Sequence, residues 1–294
     1  MRSFLFAHKY SLSALAALGL GIAAYALYPS QGSVMDAHSA HKKAIAERLA
    51  GRGVPEMDLD ISFEHSKPVV AGTGTSLSWQ MRDRKTGESV VKFEKNMEKL
   101  LHLIVTNDSL TYFDHIHPTF DGGSFSIAYT FPKDDVYWLY LDFQPVGSSE
   151  IQKSFVLPVG EPSPEAKPSD RSVSKAFGAY KVALSSTFKA RDIDLAKSHL
   201  TFTVTDSKTG KPVKDLRPYL GAFGHLVMIN TADHSYIHAH PLEGVVTDDR
   251  SGPNVEFYPF DLRTGKLAPG TYRLFAQFNP PSGLFTADFT VDIR

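Results

Sequence analysis

The sequence predicts an all-β chain: two tandem immunoglobulin-like β-sandwiches behind an N-terminal hydrophobic helix. Three observations carry this. The second half of the chain repeats the first at an offset of 123 residues (225 − 102), as in a duplicated unit. Leu77, Trp79 and Met81 alternate with polar residues, as do Leu200, Phe202 and Val204, the signature of half-buried strands. Aromatic runs close each unit: Tyr137-Trp138-Leu139-Tyr140-Leu141-Asp142-Phe143 answers Tyr272-Arg273-Leu274-Phe275-Ala276-Gln277-Phe278.

Taken in order, residues 1–30 read as a signal peptide or an N-terminal membrane anchor. Arg2 and Lys9 precede an apolar stretch from Leu12 to Tyr28. Ala24-Tyr25-Ala26 suits cleavage, while the length of the stretch approaches that of a bilayer-spanning helix. Both readings send the rest of the chain out of the cytoplasm, periplasmic or extracellular. Residues 31–57 read as a helical spacer. His38 and His41 would share one of its faces, where they either bind a metal or stand in solvent.

Residues 58–160 form the first expected sandwich, and Lys85-Thr86-Gly87 marks a turn that recurs at Lys208-Thr209-Gly210. Residues 161–175, rich in proline, serine and charge, form an extended linker. Residues 176–294 form the second sandwich, at about 100 residues per unit. A pair of small β-barrels is the rival arrangement of the same strands.

Composition narrows function. With 294 residues and a net charge of −1, the chain can bury two cores and carries no general attraction for nucleic acid. No glycine-rich phosphate loop or Gly-x-Ser-x-Gly elbow is present. The absence of cysteine removes disulfides, thiolate zinc sites and cysteine-ligated copper centres.

Histidine is the informative residue. His102 precedes His115-Ile116-His117-Pro118, and His225 precedes His238-Ala239-His240-Pro241 at the same spacing. Across these segments the copies share six residues, and three of them are histidine; the others are a leucine, a proline and Asn107 with Asn230. Histidines two apart on a strand share a face, and an adjoining strand can add a third. A hairpin turn centred on Asp108 and Ser109 gives partner numbers summing to 217. His102 then faces His115, and His225 faces His238. A slip of one residue would split the trio between faces. The expectation is one metal site per repeat, near a sandwich end: His102, His115 and His117 in the first, His225, His238 and His240 in the second.

Imidazole nitrogens suit copper or zinc, copper being favoured by the divalent order, with a fourth ligand left to water. Binding needs neutral rings, so affinity should fall below about pH 6.5. His8, His65 and His199 have no visible partners, and His234 falls outside the repeated pattern.

Lys99-Leu100-Leu101-His102-Leu103-Ile104-Val105 with His115-Ile116-His117-Pro118 resembles a group of bacterial exported proteins. So does Asp215-Leu216-Arg217-Pro218-Tyr219-Leu220-Gly221-Ala222-Phe223-Gly224-His225-Leu226-Val227 with Tyr236-Ile237-His238-Ala239-His240-Pro241. The group carries HLIV…HxHP and PYLGAxGHLV…HxHP segments in tandem and is functionally uncharacterised. The resemblance covers most of the chain beyond about residue 75. It implies bacterial origin and export, and neither a metal nor a reaction. Asp233-His234-Ser235 departs from the small apolar turn of the group.

Three functions follow as expectations. The first is an extracytoplasmic copper or zinc protein, anchored to a membrane if the N-terminal helix is retained. The second is an interaction or structural module of an envelope complex, its partner another envelope protein and its histidines serving the fold. The third is a zinc-dependent lyase or hydrolase, for which Asp114 and Asp121 are the acid–base candidates.

Overall fold

The computed structural model describes residues 54–187, 199–241, 254–257 and 267–293. The expected N-terminal helix, most of the spacer, and His8, His38 and His41 lie outside these residues. Among the described residues every regular element is a β-strand, and no helix is long and apolar enough to cross a membrane.

The first repeat contains β1 (Leu59–His65), β2 (Gly74–Asp83), β3 (Phe93–Glu94), β4 (Leu101–Asn107), β5 (Phe113–Ile116), β6 (Thr119–Phe120), β7 (Phe125–Thr130), β8 (Asp135–Pro145) and β9 (Ile151–Val159). One sheet runs β1-β2-β7-β6. The other places β4 and β5 on one side of β8 and pairs β9 with β8, while the short β3 pairs with the end of β8. This is the strand order of immunoglobulin-type sandwiches. Neither sheet closes on itself, so the barrel alternative falls.

The second repeat contains β10 (Ser174–Phe177), β11 (Tyr180–Ser186), β12 (Leu200–Asp206), β13 (His225–Asn230), β14 (Tyr236–Ala239), β15 (Asn254–Phe257), β16 (Gly270–Phe278) and β17 (Phe285–Ile293). Its sheets run β10-β11-β12-β15 and β14-β13-β16-β17.

Alternation builds each core. Leu77, Trp79 and Met81 of β2 meet Leu101, Leu103 and Val105 of β4 and Leu139, Leu141 and Phe143 of β8. In the second repeat Phe202 and Val204 meet Leu226, Met228, Leu274, Ala276 and Phe278. β4 and β13, however, are buried at every position, so both their faces are covered.

The second cover is the other repeat. Ile104, Leu110 and Tyr140 pack against Val227, Ile229 and Phe275 in a third apolar cluster. Phe113 stacks on Phe275 with ring centres 4.5 Å apart, and Tyr140 stacks on Tyr236 at 4.9 Å. The buried Arg273 guanidinium donates from Nε to the Leu110 carbonyl oxygen at 3.2 Å and also contacts Thr290 and Asp288. The linker is fastened as well: Lys167 Nζ donates to the Thr231 carbonyl oxygen, and Glu165 pairs with Lys133 at 2.7 Å.

The hairpin register differs from the expected one. Ile104 pairs with His115 and Val227 with His238, so the partner sums are 219 and 465, each two larger than the turn geometry predicts. The cause is the loop. Leu110 adopts a left-handed conformation, and Asn107 Oδ1 accepts the backbone N–H of both Thr111 and Tyr112 at 2.9 Å. This holds the chain open until Thr106 meets Phe113. Extending the ladder sets His102 opposite His117 rather than His115. A shift of two preserves side-chain parity, so the trio keeps its common face.

Candidate metal centre

β4 directs Leu101, Leu103 and Val105 into the first core, which leaves His102 on the outer face with Ile104. β13 does the same for His225. Because the two outer faces pack together, the trios meet each other. They form one cluster between the repeats and not two clusters at separate sandwich ends.

Four rings make its centre. The ring centres of His102, His115, His225 and His238 lie between 5.2 and 6.5 Å apart in all six pairings. An ion held tetrahedrally by four imidazoles, with metal–nitrogen distances of about 2 Å, sets ring centres about 5 Å apart. His117 flanks one edge, 4.9 Å from both His102 and His115. His240 flanks the opposite edge, 4.9 Å from His225 and 4.5 Å from His238. Five of the six rings are buried and His117 is half-buried. Two sets hold ligand nitrogens close enough together to share an ion: His102, His115 and His117; and His115, His225 and His238.

Each central ring is oriented from behind. His102 Nε2 donates to the Asn96 carbonyl oxygen at 2.9 Å, and His225 Nε2 donates to that of Tyr219 at 2.8 Å. The other two rings reach across the interface. His115 Nδ1 donates to Gln277 Oε1 at 2.8 Å, and His238 Nδ1 donates to Asp142 Oδ2 at 3.1 Å. The Gln277 amide is set by its Nε2, which lies 3.5 Å from Thr286 Oγ1. β8 places Asp142 opposite His102, and β16 places Gln277 opposite His225. The contact therefore has the reciprocity of a two-fold pair, residue i meeting j and j meeting i. Metal-bound histidines are fixed in this way, by a carbonyl or carboxylate on the remote nitrogen.

The inward nitrogens then carry lone pairs. Burial lowers the pKa of His102 and of His115, holds that of His117 at about 3, and holds that of His225 at about 4 against the opposing bond to Tyr219. Neutral imidazole has one N–H, and in His102 and His115 the remote nitrogen carries it. His102 Nδ1 and His115 Nε2 nevertheless face each other at 2.9 Å, with His117 Nε2 at 3.2 Å from His102 Nδ1. Two lone pairs at that distance repel unless a cation joins them. His225 Nδ1 is buried with no hydrogen-bond partner among the described residues. The donor set could hold a metal ion.

The remaining candidates lie elsewhere. Asp114 Oδ2 accepts from Tyr129 at 3.0 Å, and Asp121 closes a turn through Gly123 and Ser124. His234 stacks on Trp138 at 4.3 Å and contacts Lys167. His65 and His199 bond to neighbouring loop atoms. Sequence reasoning missed Asp142 and Gln277. Their signal was a polar residue at the same place in two aligned apolar runs.

A family described as a domain of unknown function, DUF8832, matches residues 56–161 and 175–294. The chain belongs to this family. Its two matched segments contain the two trios. No curated protein matches the sequence. Among solved structures, a two-domain fibronectin type III segment of chicken tenascin is 11% identical, covering 80% of this chain and 99% of that one with a TM-score of 0.23. Red sea bream transglutaminase is 14% identical, covering 91% of this chain and 34% of that one with a TM-score of 0.20. A carbohydrate-binding module of the β-sandwich superfamily is 10% identical, covering 81% and 97% with a TM-score of 0.22.

Proposed function

We propose that this protein binds copper or zinc outside the cytoplasm, in one centre built jointly by its two repeats. The observation that carries the reading is the set of remote-nitrogen bonds. Asn96, Tyr219, Gln277 and Asp142 occupy the outer nitrogens of four buried rings, and these rings belong to two sets whose ligand nitrogens lie within 4.8 Å of one another. Orientation of this kind is what a metal requires and what a packed core does not. The basic residues and apolar stretch at the N-terminus support export, to the periplasm or beyond.

Elemental analysis of the untagged full-length protein, purified without chelator, tests this. Copper or zinc should co-purify and should be lost when His102, His115, His225 and His238 are replaced by alanine. A folded wild-type protein that retains no metal after titration with either ion would sink the reading.

The cross-repeat bonds of His115 and His238 also support a second reading, in which the histidines only join the repeats and the surface serves an envelope partner. That reading expects the thermal melting point to be indifferent to added metal. Bound metal raises it through linkage.

A further inference from the structure

The two ligand sets share His115. Its Nδ1 is committed to Gln277, so its Nε2 offers a single lone pair. One lone pair serves one ion at a time. The rings of the two sets are buried apart from half-buried His117, and Asp142 bonds one of them, His238. Two divalent ions there would repel strongly at low dielectric. The sets are therefore alternatives for the same ion.

They differ in character. His102, His115 and His117 form the outer set, and half-buried His117 is its face toward solvent. His115, His225 and His238 form the inner set, with all three rings buried and with Asp142 behind His238. A carboxylate on the remote nitrogen raises the basicity of the ligating one. His240 flanks this set at His225 and His238, with ring centres 4.9 and 4.5 Å away. Three ligands with one side open suit exchange, and a closed set suits retention.

Resting on the metal-binding reading above, we infer that the cluster holds one divalent ion that is taken up at the His102–His115–His117 set and passed to the His115–His225–His238 set, with His115 as the pivot. No covalent bond is made, and each step exchanges one imidazole for another on the ion.

Titration of the full-length metal-free protein with cobalt(II), followed by ligand-field absorption and by stopped-flow uptake, tests this, with zinc as competitor. One ion per chain is expected at saturation. His117→Ala should slow uptake more than it lowers affinity. Asp142→Asn should lower affinity by about 10–100-fold through faster release. His238→Gln, which keeps a donor toward Asp142, should do the same and guards against a misfolded Asp142 variant. Two ions per chain at similar affinity would overturn the inference while leaving metal binding intact. So would a His117→Ala variant whose uptake is as fast as that of the parent. No cobalt or zinc bound by the folded protein would overturn both.

Discussion

Asp142 in the first repeat and Gln277 in the second occupy equivalent places, and each bonds a histidine of the other repeat. Around them the same exchange recurs. Tyr140 stacks on Tyr236, and at the corresponding places Phe275 stacks on Phe113. The geometry is two-fold but the chemistry is not: one side of the axis carries two phenols and a carboxylate, the other two phenyl rings and an amide. Backbone and packing hold the rings in place from both sides, and the polar differences then set charge and basicity on one side alone.

Acid should break both sides at once and produce the largest effect. The folded-state pKa values of His102, His115, His117 and His225 lie below the ordinary 6.5, at about 3 for His117 and about 4 for His225. The unfolded chain therefore binds protons first as pH falls. Stability of the metal-free protein should be fully present above pH 6.5 and be lost progressively as pH drops toward 4 and 3. A flat denaturation midpoint from pH 7 to 4 would contradict the buried neutral cluster.

The stacks come next. Phe275→Ala and Tyr140→Ala should each cost about 3–5 kcal/mol in urea unfolding if both carry the joint. A cost under about 1 kcal/mol for either would show that its stack is incidental. The backing residues can be tested by exchange. Asp142→Gln alone should weaken metal binding by about 10–100-fold, and adding Gln277→Asp should recover much of the loss by moving the carboxylate across the axis. Failure of the double variant to recover would mean that the two sides are not interchangeable.

The hairpin loops give a smaller contrast. Asn107 accepts from two backbone N–H groups, Asn230 from that of Ala232. Asn107→Ala should cost about 1–3 kcal/mol, more than Asn230→Ala, as read from melting curves. The smallest effect belongs to Tyr236→Phe. The Tyr236 oxygen is buried without a hydrogen-bond partner among the described residues, so its removal should be neutral or stabilising by about 1 kcal/mol. A loss of stability or of metal would reveal a partner for that hydroxyl.

Much of this was legible in the sequence. Parity alone put His102 on one face with His115 and His117, and it survived a register that was off by two. The register itself was not legible, because nothing in the pattern announces a left-handed Leu110 or an asparagine bridging two amides. The joint between the repeats was half-legible. Unbroken apolar runs at Leu103-Ile104-Val105 and Leu226-Val227-Met228-Ile229 call for cover on both faces, whereas the alternation elsewhere calls for cover on one. Asp142 and Gln277 align in sequence, but a polar residue in a strand is ordinarily solvent-facing, so the pattern does not mark them. The linker composition suggested a spacer, whereas Lys167 and Glu165 bind it down.

Fusion into one chain has an arithmetical consequence for the histidine cluster. In a dimer of identical halves every wall residue appears twice, so the charge of the lining is even: none or two carboxylates. A tandem chain is free of that parity. Asp142 has no twin at 277, so a carboxylate backs His238 where an amide backs His115.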